Sequence, residues 1–257
     1  MDYSIIDSSV LLQFLFHPRK DYASPPPGAF DFMVPVEGGV EIHCRGYPAG
    51  KEDPWLLYFH GNGEVVSDYN YIAPYYQKES LNLLVADYRG YGESSGTPTF
   101  TDMVKDASRV LKESKKQLKE RSQDADNLWV MGRSLGSICA LELAAKHPGE
   151  LRGMVVESGF ISVTKLIRHL GLPAPVDLTA LEEEAHQKAG NITLPALVIH
   201  GERDQLVPLE QGEELYNALS SSRKRLFTIP LGDHNNIFLV ETERYLQEIK
   251  KFVEDEQ

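Results

Sequence analysis

Only two cysteines, Cys44 and Cys139, occur in the 257 residues. Two thiols build neither a disulfide framework nor a cysteine-based zinc site, and a reducing, cytoplasmic setting is the simplest expectation. Long apolar runs are missing as well. The stretch Val10-Leu11-Leu12-Gln13-Phe14-Leu15-Phe16 falls far short of the ~20 residues that cross a bilayer, so no stable membrane insertion is expected. That stretch can dock on apolar surface of a membrane or of the protein's own body, and the second is the reading adopted. No Lys or Arg precedes Arg19, so the basic region of a signal peptide is not expected. Positive charge is in short supply: 26 Lys and Arg stand against 38 Asp and Glu, a net charge of −12. Phosphate affinity comes from Lys and Arg, which argues against a nucleic-acid partner and, more weakly, against anionic membrane surfaces.

What is present is an ordinary globular composition, 42% hydrophobic and 25% charged, with no internal repeat and no Gly-, Ser- or Pro-rich linker. A chain of this length buries roughly 70–75% of its unfolded surface without staples. One domain spanning residues 1–257 is therefore expected, with 1–30 as an N-terminal extension. Strand-length apolar runs recur at Asp31–Val36, Val40–Tyr47, Trp55–His60, Leu81–Tyr88, Leu128–Arg133, Gly153–Glu157, Ala196–His200 and Arg225–Pro230. The middle ones are continuous rather than alternating, which suits strands covered on both faces. Glu37-Gly38-Gly39 between the first two marks a hairpin. Helical spacing follows at Phe100–Glu120, Leu135–Lys146, Leu209–Leu219 and Asn236–Val253. Strand alternating with helix predicts a mostly parallel α/β sheet flanked by helices.

Residues Ile161–Pro195 break this alternation. They carry a short helical pattern (Val163, Leu166, Ile167, Leu170), then Gly171-Leu172-Pro173-Ala174-Pro175, then a second helical stretch, Leu178–Lys188. An excursion at the C-terminal end of a parallel strand lies where open α/β sheets bind ligands. It reads as a small helical lid; a decorated crossover is the alternative. The apolar residues of its first helix are either acyl-pocket lining or the buried face of a helix, and Tyr69, Tyr71, Tyr75 and Tyr76 either flank an entrance or pack a helix.

Gly132-Arg133-Ser134-Leu135-Gly136 lies between a predicted strand and a predicted helix, the setting of a nucleophile elbow. So tight a turn needs glycines two residues either side, and it holds a hydroxyl at a helix N-terminus, where backbone dipoles favour negative charge. A serine hydroxyl needs a base. His234, in Gly232-Asp233-His234-Asn235-Asn236 between the last strand and the last helix, is the candidate; His60 and His200, each at a strand end before a glycine, read as partners of loop backbone. The imidazole in turn needs a carboxylate. Asp204, in the loop after Ala196–His200, fits the order Ser, Asp, His, with Glu157 and Glu202 as competitors and Asp233 too close in sequence to face the ring. For an oxyanion, the N–H of Leu135 and the N–H of Asn62, in His60-Gly61-Asn62-Gly63-Glu64, are the candidate donors.

From about Asp31 to its end the chain resembles the α/β-hydrolase superfamily of serine hydrolases, in the small-lidded branch similar to dienelactone hydrolases and serine aminopeptidases. The resemblance rests on the oxyanion loop, the string Asp87-Tyr88-Arg89-Gly90-Tyr91-Gly92-Glu93-Ser94, the elbow, the acid loop and the histidine loop. It implies an eight-stranded, mostly parallel sheet with one antiparallel strand, the α/β-hydrolase fold. It maps nucleophile, acid and base onto Ser134, Asp204 and His234, and it gives the Asp87–Ser94 string a structural role. The expected activity is hydrolysis of a small-molecule carboxylic ester or thioester through an acyl-enzyme, with no metal and no cofactor. Peptidase or acyltransferase activity, and a catalytically silent binding protein, are the alternatives. The sequence specifies neither the acyl group nor an oligomeric state.

Overall fold

Continuous apolar runs such as Leu56-Leu57-Tyr58-Phe59 and Leu83-Leu84-Val85-Ala86 are fully buried central strands. In the computed structural model, which describes residues 2–7, 9–172 and 177–255, the strands are β1 (Phe30–Val36), β2 (Val40–Tyr47), β3 (Trp55–Phe59), β4 (Asn82–Ala86), β5 (Leu128–Arg133), β6 (Met154–Glu157), β7 (Ala196–Gly201) and β8 (Lys224–Ile229). They form one eight-stranded sheet in the order β1-β2-β4-β3-β5-β6-β7-β8. β2 runs antiparallel to both of its neighbours and every other pairing is parallel. The β1–β2 hairpin turns through Glu37–Gly39, where Gly38 and Gly39 take φ of 80° and 70°, a region open to glycine at no steric cost. This is the α/β-hydrolase architecture that the motifs imply.

The helices are α1 (Ser9–Leu15), α2 (Ala73–Lys78), α3 (Phe100–Glu120), α4 (Ser137–Lys146), α5 (Val163–His169), α6 (Thr179–Gly190), α7 (Leu209–Ala218), α8 (Ile237–Val240) and α9 (Thr242–Glu254). Alternate residues of each strand face opposite sides, so two cores form. Trp55, Leu57, Val130 and Val156 pack under α3, α4, α6 and the N-terminal arm. Leu56, Tyr58, Met131 and Val155 pack under α2 and α9. None of the helices, among the described residues, is long and apolar enough to cross a membrane.

Three elements differ from the sequence expectation. The expected helix from Leu135 begins with a tight 3₁₀ turn, Ser134–Gly136, before α4. The expected single helix Asn236–Val253 breaks at Glu241, whose φ of −139° is non-helical; neither glycine nor proline marks that break, so local sequence offered no signal. The Ile161–Pro195 excursion divides. α6 buries Leu181, Ala185 and Ala189 in the main core as a crossover helix, and α5 stands at the cleft. Of Gly171–Pro175, the residues from Pro173 onward lie outside the described residues. The apolar stretch near the start does lie on the protein's own body: Leu11, Leu15 and Phe16 are buried while Val10 and Phe14 stay exposed. Asp7 fastens this arm to α3 by accepting the N–H groups of Phe100 (2.7 Å) and Thr101 (3.1 Å).

One buried charge gives the sheet a pH dependence. His43 of β2 lies between Asp31 of β1 (3.4 Å) and Asp87 beyond β4 (3.5 Å). Burial alone would lower its pKa, but attraction to these two nearby carboxylates carries it up to about 9 from an ordinary 6.5. Its contribution to stability is therefore fully present below pH 6.5 and is lost as pH rises through about 9. Urea unfolding at a series of pH values should show stability falling across that window, with the fall flattened in His43→Gln. An equal fall in the variant would contradict the assignment.

Candidate active site

The strand β5 runs straight into Ser134, whose φ is +50°. Like Ser80, Ser122 and Ser158, it is a non-glycine residue strained by that angle. The local sequence permits it through two glycines. A Cβ on Gly132 would collide with the carbonyl of Gly136, and one on Gly136 would collide with the Phe59 carbonyl at the end of β3. The Ser137 hydroxyl donates to the Ser134 carbonyl (2.6 Å) and so closes the turn.

The chain returns to this point twice. His234 follows β8 and lies 2.9 Å, through Nε2, from Ser134 Oγ. Its Nδ1 lies 2.7 Å from Oδ2 of Asp204, which follows β7. All three are nearly closed off from solvent, at 6%, 6% and 5% exposure. Asp204 Oδ1 accepts the N–H groups of Leu206 (3.0 Å) and Val207 (2.8 Å), which fixes the carboxylate plane. Burial would raise the Asp204 pKa, but the hydrogen bond and charge of His234, with the Val207 N–H, hold it below the ordinary value. The other candidates point elsewhere. Glu157 is taken by Arg133 (3.0 Å) and Tyr245 (2.5 Å), Glu202 accepts from Thr228 (2.8 Å), and Asp233 caps its own loop at Asn235 and Asn236. His200 Nε2 meets the Val207 carbonyl (2.8 Å) and His60 Nδ1 the Gly61 carbonyl (2.8 Å).

Asn62 and Leu135 line the same cleft as Ser134 and His234. The loop that carries Asn62 is pinned by the Asp87–Ser94 string: Asp87 lies 3.1 Å from His60 Nε2, Tyr88 OH donates to the His60 carbonyl (2.6 Å), and Tyr91 OH donates to Asn62 Oδ1 (2.6 Å). The cleft holds about 360 Å³. A second cavity of about 370 Å³, walled by tyrosines 58, 69, 71, 75 and 76, adjoins it across Glu64, Arg133 and Asn235; Ser134 and His234 do not line it. Val163, Leu166 and Leu170 of the α5 region line the first cleft, whereas Ile167 is fully buried in the core.

Two features gave no sequence signal. The first is Arg133, the variable residue of the elbow, whose guanidinium binds Glu64 beside the Asn62 loop, Glu157 at the end of β6 and the His234 carbonyl (2.6 Å). Burial opposes its charge, but the two carboxylates hold its pKa above the ordinary value, and Glu64 is held below its own. The second is the N-terminal arm, which reaches the cleft through Phe14, Leu15 and His17.

A family model described as serine aminopeptidase, S33, matches residues 50–180 and 166–241 of the chain. Among characterised folds, the Pyrococcus furiosus esterase Pf2001 superimposes with a TM-score of 0.75 at 22% identity, covering 93% of this chain and 98% of that one. The uncharacterized protein YfhR of Salmonella typhimurium is 26% identical over 88% of this chain and 81% of its own length. The uncharacterized membrane protein YNL320W of Saccharomyces cerevisiae is 29% identical over 64% of this chain and 58% of its own length.

Removing one partner of a buried ion cluster leaves uncompensated charge, at a cost of up to about 3–5 kcal/mol, and here Glu157 is buried while Glu64 stays 27% exposed. Arg133→Met should lower the urea unfolding free energy by up to that amount. A loss under about 1 kcal/mol, the size of an exposed pair, would mean that the cluster is solvated and does not hold the loops.

Proposed function

The chain belongs to the serine aminopeptidase (S33) family of α/β hydrolases, and from that membership we propose that it is a serine hydrolase of carboxylic esters or thioesters. The observation that carries this reading is the unbroken line from Ser134 Oγ to His234 Nε2 (2.9 Å) and from His234 Nδ1 to Asp204 Oδ2 (2.7 Å). In the proposed reaction Ser134 Oγ attacks the carbonyl carbon as His234 Nε2 takes its proton. The N–H groups of Asn62 and Leu135 stabilise the oxyanion, aided by the N-terminal end of the helix that follows. His234 returns the proton to the departing alcohol or thiol, which leaves an acyl-Ser134. It then deprotonates water for the second half, while Asp204 orients the ring and stabilises its cation. In this account residues 1–257 act as one domain, α5 covers the cleft as a small lid, and the setting is a reducing cytoplasm, in keeping with two buried free cysteines.

Peptidase activity is the second reading, and the family's description favours it. Aminoacyl substrates need a carboxylate to hold the amine. Glu64 is the acid that lines the cleft, and its oxygens are occupied by Arg133, the Gly61 N–H (2.9 Å) and Tyr69 OH (2.8 Å). That supports esters over aminoacyl peptides. Acyl transfer shares the acyl-enzyme and differs only in the acceptor.

Ser134→Ala should lower kcat on a nitrophenyl ester by about 10⁶-fold, and Asp204→Asn by about 10⁴-fold. Full activity of Ser134→Ala would end the mechanism, and a crippled Glu157→Gln beside an active Asp204→Asn would move the acid. Faster turnover of aminoacyl-nitroanilides than of esters would replace this reading with the peptidase one.

A further inference from the structure

We propose that the N-terminal arm is a working wall of the site, and that the cleft holds an acyl chain of short to medium length between α1 and α5. This rests on the ester-hydrolase reading above. The family match begins at residue 50, so the arm lies outside the segment that carries the family resemblance.

The cleft is built from two facing apolar walls. Phe14 and Leu15, at the end of α1, supply one; Val163, Leu166 and Leu170 supply the other, and Ser134 lines the same cleft. Its volume of about 360 Å³ is at the small end of the ~300–1,000 Å³ typical of ligand pockets. Leu15 is buried, whereas Phe14 is 53% and Leu170 40% exposed, so apolar lining reaches solvent, beside the polar Glu64, Arg133 and Asn235. An apolar channel that opens on a serine hydroxyl suits an aliphatic acyl group, because each methylene buried there is removed from water.

The arm also grips the loop that carries the proposed oxyanion donor. The Asn62 side chain donates to the Leu15 carbonyl (3.1 Å) and accepts the His17 N–H (2.9 Å). The Tyr91 hydroxyl accepts the same His17 N–H (2.9 Å) and donates to Asn62 (2.6 Å). Arg19 Nε donates to the Gly63 carbonyl (2.8 Å), and its guanidinium also pairs with Asp68. The arm then returns to the string after β4, where the Gly92 N–H donates to the Arg19 carbonyl (2.8 Å). Leu15 thus both walls the acyl channel and holds Asn62. Phe14, half in solvent, sets the channel's outer width, and Tyr91 is a positioning residue acting through Asn62.

The test is a series of nitrophenyl esters from acetyl to dodecanoyl, run on the full-length protein and on Phe14→Ala, Phe14→Trp and Tyr91→Phe, with urea midpoints as the folding control. A single methylene in an apolar pocket is worth about tenfold or more in kcat/KM. Phe14→Ala should raise the dodecanoyl-to-butanoyl ratio of kcat/KM by about tenfold, and Phe14→Trp should lower it. Tyr91→Phe should lower kcat alike at every chain length without moving the optimum. If both Phe14 profiles superimpose on the parent's while esters still turn over and a fluorophosphonate still labels Ser134, the arm's role falls and the hydrolase reading stands. A parent protein that neither turns over any ester nor takes the fluorophosphonate overturns both.

Discussion

One largely buried guanidinium ties three loops of this cleft together. Arg133 sits beside the candidate nucleophile, yet its partners come from three distant places: Glu64 on the Asn62 loop, Glu157 at the end of β6 and the main-chain carbonyl of His234. Holding two carboxylates and one cation largely out of water, with Glu64 still 27% exposed, would be costly if their lone pairs were left unmet. Here the Gly61 N–H and Tyr69 OH complete Glu64, and Tyr245 OH completes Glu157. The cluster links three loops through one side chain: the Asn62 loop, the end of β6 and the His234 loop. On the proposed mechanism those loops carry the base, one oxyanion donor and the flank of the acid's strand.

The sheet makes the convergence possible. β3, β5, β6 and β7 are parallel neighbours, so their C-terminal ends open on one rim, and loops of modest length suffice to bring Ser134, Asp204 and the Asn62 loop together. Like Ser158 after β6, with φ of +46°, the backbone at Ser134, with φ of +50°, is a strained point of that rim. It is tolerated because Gly132 and Gly136 remove the side chains that would collide with the β3 carbonyls and with the turn itself. Around it, the Asp87–Ser94 string and the N-terminal arm act as braces on the neighbouring loop, one from each side.

The features legible in the sequence are those with a local signature. Continuous apolar runs marked the strands. The glycine-flanked serine, and the histidine and aspartate just past later strands, marked candidates that the fold brings within hydrogen-bonding distance. Features set by long-range pairing carried no such mark. Arg133 reads as a filler between Gly132 and Ser134, since its partners Glu64 and His234 are 69 and 101 residues away. The arm's grip on Asn62 spans 45 and 47 residues. The kink at Glu241 has neither glycine nor proline, and α6, read as part of a lid, buries only Leu181, Ala185 and Ala189, a stripe too weak for periodicity to assign it to the core.

The central claim is that Ser134 carries the acyl group between two half-reactions. Rapid quenching of the protein during turnover of a nitrophenyl ester, followed by proteolysis and mass spectrometry, tests it most directly. The account predicts one added acyl mass on the peptide that contains Ser134, appearing with the first burst of nitrophenol and disappearing as the ester is exhausted. Steady turnover with no acylated peptide, or with the acyl group on another residue, would contradict it.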